Sequence, residues 1–203
     1  GDHLIGARRY RIYGNYVRSE DDETTVRLAT IFFVDMTEMF NVRDEFLRTR
    51  PITAVILIDN YDELMSNLPD STISKLDAQI NEAVSGWVTG LHALCRKMER
   101  NRYLLLFESK DLSRLQEGKF SILDAIRAVV NPAGVNATIS LGIGKDGSSF
   151  EENYSFANLS IEMALSRGGD QAVIKDRYNF AFYGGRTKET ERRTRVKSRV
   201  VAG

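Results

Sequence analysis

Several residue types are scarce in this chain of 203 residues, and each scarcity excludes something. The one cysteine, Cys95, rules out an internal disulfide framework and a cysteine-rich zinc site. With only His3 and His92, a metal site built on three histidines is impossible as well. No run of 18 or more apolar residues occurs, so no segment reads as a membrane span. Neither charge is in excess: 28 Lys and Arg balance 28 Asp and Glu. A protein that binds nucleic acid mainly through its overall field would be more basic, and nucleic acid is not an expected partner. Only three prolines interrupt the chain, which leaves long stretches for regular elements. Residue 1 is Gly rather than Met, and the chain stops inside a basic, helix-permissive run, KETERRTRVKSRVVAG. Both features predict a piece of a longer protein.

What is present reads as ordinary globular sequence. Residues 7–18 (ARRYRIYGNYVR) and 25–34 (TVRLATIFFV) are rich in aromatic and β-branched residues, with the acidic SEDDE between them. They predict a β-hairpin, which is only marginally stable alone. Met36, Phe40, Val42 and Phe46 then predict a connecting helix over 37–47. From residue 52 the predicted order is β, α, β, β, α, β, α, β. ITAVILID (52–59) is the continuous apolar run of a strand buried on both faces. Residues 71–90 carry Ile73, Leu76, Ile80, Val84 and Trp87 at helical spacing. HALCRKM (92–98) and RYLLLFE (102–108) are strands joined by a tight turn at 99–101. Residues 119–130 predict a helix, ATISLGIG (137–144) a strand, Phe156 to Ala164 a helix, QAVIK (171–175) a strand and NFAFYG (179–184) a further one. This is an α+β sandwich of βαββαβ type around a mixed central sheet.

Individual residues admit two readings. Asp59 stands at the carboxyl end of a central strand, where open sheets place ligands; it is equally a common turn opener. Cys95 reads as a small buried hydrophobe. His92 has no metal partner in view. Gly168-Gly169-Asp170 looks like a phosphate loop but reads better as a helix C-cap before a strand. Residues 186–199 carry seven Lys and Arg against two Glu, and read as a solvated interdomain helix rather than a membrane-binding or nucleic-acid-binding stretch.

Several motifs resemble known families. FFVDMTE (32–38) looks like the last strand and exit signal of a PAS sensor domain. Residues 52–175 resemble a GGDEF (diguanylate cyclase) domain in element order and in the anchors ILIDNYDEL and ISLGIG. The combination DNYDE, SRGGDQAVIK, FYGG and ERRTRVKSRVVA is similar to the GdpP/YybT family of cyclic-di-AMP phosphodiesterases. That resemblance implies a parent protein in the bacterial cell membrane with PAS, degenerate GGDEF and DHH/DHHA1 modules on the cytoplasmic side, hydrolysing cyclic di-AMP to pApA. It divides the chain into the end of PAS (1–36), a signalling helix (37–50), the degenerate GGDEF domain (51–184) and a linker toward an absent DHH domain (185–203), a fragment expected to be soluble. It implies Mn²⁺ in the DHH module and haem as a ligand of a complete PAS pocket. Cyclase chemistry needs two divalent ions held by carboxylates. Here Asp59 keeps the first carboxylate, Tyr61 replaces the second and Arg102 the third. The hairpin reads Glu99-Arg100-Asn101-Arg102-Tyr103, so the two glycines that let a triphosphate approach are gone. No cyclase activity is expected.

Three functional readings follow from the resemblance. The chain is a regulatory domain coupled to its own PAS and DHH domains; or it binds and slowly hydrolyses ATP with Mg²⁺ at Asp59; or it is a dimerisation module with a vestigial nucleotide site. A nucleotide, ATP or a cyclic dinucleotide, would lie among Asp59, Asn67, Arg100 and Arg102. Asn67 falls where cyclases contact the base, although Asn is also a common helix terminator. The hairpin edges and the 37–47 helix predict a homodimer.

Overall fold

The computed structural model describes residues 1–18 and 27–184; the predicted acidic turn and the basic segment 186–199 lie outside the described residues. The chain forms two compact units, 1–49 and 50–203.

The first unit is a three-stranded antiparallel sheet, β1 (Asp2–Ile5), β2 (Arg8–Arg18) and β3 (Arg27–Asp35), followed by helix α1 (Thr37–Thr49). The predicted hairpin is there, with an additional strand, β1, that is too short and polar to carry a pattern. Gly6, at φ +61°, makes the two-residue turn into β2 possible. The DMTE motif ties sheet to helix: Asp35 Oδ1 accepts the Thr37 N–H at 2.9 Å, and Thr37 Oγ1 accepts the Arg9 N–H at 3.0 Å. No residue of α1 is buried. Ile31 and Phe33, on one face of β3, are both more than half exposed.

The second unit is a six-stranded mixed sheet in the order β5-β6-β4-β7-β8-β9. Its elements run β4 (Pro51–Ile58), α2 (Tyr61–Met65), α3 (Asp70–Thr89), β5 (Ala93–Glu99), β6 (Arg102–Glu108), α4 (Ser109–Glu117), α5 (Ile122–Arg127), β7 (Ile139–Gly144), α6 (Phe150–Ser166), β8 (Gln171–Lys175) and β9 (Phe180–Gly184). Only β7 and β8 pair in parallel. β4 is central and apolar on both faces. Ile52, Ala54, Ile56 and Ile58 enter the main core with Leu76, Ile80 and Val84 of α3. Val55 points the other way, onto Ala157 and Ile161 of α6. That second layer is thin because Gly142 and Gly144 of β7 let α6 lie directly on the strand; a Cβ at Gly144 would overlap the Asn153 carbonyl oxygen.

Three expectations need correction. The helix predicted from 119 starts at Ile122, since Lys119 and Phe120 both adopt left-handed backbone (φ +48° and +53°). That reversal drives Phe120 fully into the core, edge-to-face with Tyr183 at 5.2 Å between ring centroids. Helix α4 was not predicted; its apolar signal is two residues, Leu112 and Leu115, both buried. Cys95 is exposed rather than buried, because β5 is an edge strand.

Candidate functional site

β4 delivers Asp59 to its carboxyl end, where the backbone N–H of Asp59 donates to Thr138 O at 2.9 Å. The carboxylate then reaches across the sheet. Its Oδ2 accepts the Asp170 N–H at 2.9 Å. Gly168, Gly169 and Asp170 form a left-handed run (φ +99°, +72° and +55°) between α6 and β8. A Cβ on Gly169 would sit 2.6 Å from Asp59 Oδ2, so glycine is required both by conformation and by contact. The expected C-cap is thus also a cradle for a carboxylate. Asp170 is itself held by Arg127 Nε at 2.7 and 2.8 Å, and Asn60 braces the same region by accepting the Thr138 N–H and donating to Asn136 O.

Burial pushes the Asp59 carboxyl above its usual range, against the pull of the Asp170 amide. Ser140 Oγ lies near enough to favour the charged form, yet neither Asp59 Oδ1 nor Ser140 Oγ has a partner in proper hydrogen-bond geometry.

A second polar cluster lies on the α3 side of the sheet. Tyr61 Oη approaches Asp77 at 3.4 Å, and Lys97 pairs with Asp77 at 3.5 Å. Lys97 Nζ also lies over the Tyr103 ring, 5.4 Å from its centroid, and Tyr103 Oη donates to Asn81 Oδ1. Burial holds the Tyr103 hydroxyl above its ordinary value, and burial followed by the Asp77 charge does the same for Tyr61, with Arg100 opposing. Asp77 and Asn81 were not singled out in the sequence; their spacing of four beside Ile80 and Val84 is the signal that marks them as facing the sheet.

The residues expected to hold a nucleotide occupy different places. Arg102 shares its face with Leu104, is opposite Leu57 in the register, and donates to Asn158 Oδ1 of α6. Asn67 lies after α2, exposed, at φ +56°, with its amide on Ser66 Oγ. That is the geometry of a helix terminator. Arg100 is exposed at the hairpin tip, close enough to Tyr61 for its charge to act on the phenol. His92 meets Asp111, whose Oδ2 accepts the His92 N–H at 3.0 Å. A groove of about 410 Å³ between α3 and α5, lined by Gln79, Glu82, Ala83, Ala125, Ala128 and Val129 among others, shares no residue with either cluster.

Magnesium does not fit this donor set. One Asp59 oxygen is committed to a backbone amide, Tyr61 and Arg102 stand where further carboxylates would be needed, and among the described residues no group of three or more His, Cys, Asp or Glu is arranged to hold a metal.

Fold and site together define a GGDEF-type domain. The family described as "Cyclic-di-AMP phosphodiesterase GdpP-like, GGDEF domain" matches residues 56–182, and the chain belongs to that family. It is 34% identical over 173 residues, 85% of its length, to the cyclic-di-AMP phosphodiesterase GdpP of Bacillus subtilis, and 33% identical over the same share to the cyclic-di-AMP phosphodiesterase PdeA of Listeria monocytogenes. It spans about a quarter of each, 26%. Among solved structures, the GGDEF domain of DgcB from Caulobacter crescentus in complex with c-di-GMP has a TM-score of 0.54 at 12% identity, over 68% of this chain and 85% of that one. No helix among the described residues is long and apolar enough to cross a membrane.

Proposed function

We propose that this chain is a regulatory part of a longer, membrane-anchored protein that hydrolyses cyclic di-AMP to pApA through a DHH module outside residues 1–203, and that it makes no cyclic di-GMP. The observation that carries this reading is the use of Asp59. The carboxylate that would open a cyclase metal site instead fastens the Gly168–Asp170 loop at 2.9 Å, and Arg102, in place of another carboxylate, binds Asn158. A guanidinium there repels the cation that a carboxylate would hold. The relatives' names supply the parent activity. Incubation with GTP and Mg²⁺ is expected to yield no cyclic di-GMP by chromatography; product that disappears in Asp59→Ala would overturn the reading. In the full-length protein, removal of 51–184 is expected to alter the rate of cyclic-di-AMP hydrolysis without abolishing it, and an unchanged rate would count against a regulatory role.

A second reading is favoured by the position of Arg100. Its guanidinium is exposed at the hairpin tip, near enough to Tyr61 for its charge to act on the phenol, and forked donors of that kind suit phosphate oxygens. A nucleotide phosphate held there would explain why Arg100 stands at the hairpin tip, although Arg102 is engaged by Asn158. Calorimetric titration of ATP and of cyclic dinucleotides into the wild type, Asn67→Ala and Arg102→Ala separates these readings. Equal binding by all three moves the nucleotide elsewhere.

A further inference from the structure

The sheet of the second unit is covered unevenly. Tyr103, Leu105 and Phe107 point from β6 into the main core and are buried. Leu104 and Leu106 alternate to the opposite side, the side of α6, and are only half-buried. On the edge strand β5, Leu94 stands opposite Leu106 and Arg96 opposite Leu104, so both share that side. Leu94 is 75% exposed, and Met98, in the bulge between Lys97 and Glu99, is 55% exposed. Helix α6 lies over β7, β4 and β8. With strands about 4.8 Å apart and a helix about 10 Å across, one helix covers roughly two or three strands. The strip over β6 and β5 is left bare, and it is about one helix wide.

Charges on the two rims of this strip say what fits there. Asn158, which holds Arg102, marks the side of α6 that looks along it. Glu151, Tyr154, Glu162 and Leu165 recur on that side, at steps of four and seven from Asn158, and all four are exposed. Among the described residues neither glutamate is ion-paired, and neither is Arg96 on the far rim. The strip is thus an apolar floor between an acidic rim and a basic one. A further strand is disfavoured, because the bulge and the adjacent Arg96 and Lys97 spoil the β5 edge for pairing. Helix α6 of a second copy is disfavoured too, since its free side would set Glu151 and Glu162 against their own counterparts. What matches is an amphipathic helix with an apolar stripe, basic residues on the flank beside α6 and an acidic residue toward Arg96.

We propose that the strip over β5 and β6 seats one amphipathic helix of this kind, supplied by the part of the parent protein outside residues 1–203. This rests on the reading of the chain as a regulatory part of a longer protein, and names its partner. Relatives carry most of their length outside the matched part, enough to provide such a helix. Every residue of the seat belongs to the second unit. Burial of Leu94, Met98, Leu104 and Leu106 drives the docking, and the two charged rims set the direction in which the helix lies.

Photo-cross-linking in the full-length protein tests this. Benzoylphenylalanine in place of Leu94 is expected to capture a peptide outside residues 1–203 that carries apolar residues at helical spacing. The same group in place of Lys75, exposed on α3, is not. Capture of any other peptide, equal capture at the two positions, or no capture at position 94 overturns the proposal. Hydrogen exchange gives a second readout. Amides of β5 and β6 are expected to exchange at least about tenfold more slowly in the full-length protein than in 1–203. Leu94→Glu is expected to remove that difference, because it places a carboxylate in the apolar contact, and to leave the urea midpoint of 1–203 unchanged, because Leu94 is exposed there. Should that midpoint fall, Arg96→Glu on the rim takes its place, with the same loss of protection expected. Equal exchange in the two proteins, or a difference that survives the substitution, overturns the proposal. If removal of 51–184 alters hydrolysis while position 94 captures nothing, the regulatory reading stands and the seat does not. If position 94 captures the helix while that removal leaves hydrolysis unchanged, the seat stands and the regulatory reading does not.

Discussion

Asp59 shows how one side chain is redirected by its surroundings. In the amino-acid sequence it is a carboxylate at the end of a buried strand, equally suited to a cation or a turn. In the folded chain it accepts a backbone N–H from Asp170, 111 residues further on. Burial raises its carboxyl above the ordinary value of 3.8, so the folded chain holds that proton more tightly than the unfolded chain does. The stability this group contributes is complete below pH 3.8 and falls as pH rises through the folded-state value. Asp59→Asn keeps a carbonyl oxygen for the Asp170 amide and removes the titration. Its stability relative to the wild type, from urea unfolding, is therefore expected to increase between about pH 4 and about pH 7. A difference that stays flat or shrinks would show that the carboxylate is better solvated than its burial implies.

Among elements, the contrast between the two sides of the sheet matters most. The α3 side has a deep core that tolerates adjustment over many contacts, whereas α6 reaches β7 over two glycines. Alanine at Gly144 would place its methyl group inside the Asn153 carbonyl, and since that partner is backbone, α6 must shift as a body. Gly144→Ala is expected to destabilise the second unit by about 1–3 kcal/mol or more, read from the urea midpoint. A variant within about 0.5 kcal/mol of the wild type would mean that α6 is held less firmly than its seat suggests. The same helix supplies Asn158 to Arg102, so this substitution should also change any nucleotide affinity that depends on Arg102.

At the scale of the whole molecule, the buried hydrophobic residues among those described lie between Ile52 and Ile174, all within the second unit. The first unit leaves Tyr13, Ile31, Phe32 and Phe33 more than half exposed. A piece comprising 50–203 is expected to unfold cooperatively in urea with a midpoint close to that of the full chain, since core burial is the dominant favourable term. Loss of the cooperative transition on removing 1–49 would show that the second unit depends on the first.

The strands at 52–58, 102–108 and 171–175 and the helix at 70–89 were legible in the sequence because their signals are local. A strand buried on both faces must be apolar throughout, and a helix packed on one side must repeat every three to four residues. The expectation that Tyr61 and Arg102 stand where a cyclase keeps carboxylates likewise needed only residue identities, which can be read wherever they lie. Tertiary structure alone decided the rest. Nothing near Phe120 announces a left-handed reversal, which is stabilised by the core the ring enters. Cys95 has the neighbours of a buried strand residue, and its exposure follows from β5 being at an edge. The fate of Asp59 depended on Gly169 and Asp170, and the direction of Arg102 on Asn158, because a side chain's partner across a sheet is set by strand order and pleat, which no short stretch of sequence contains.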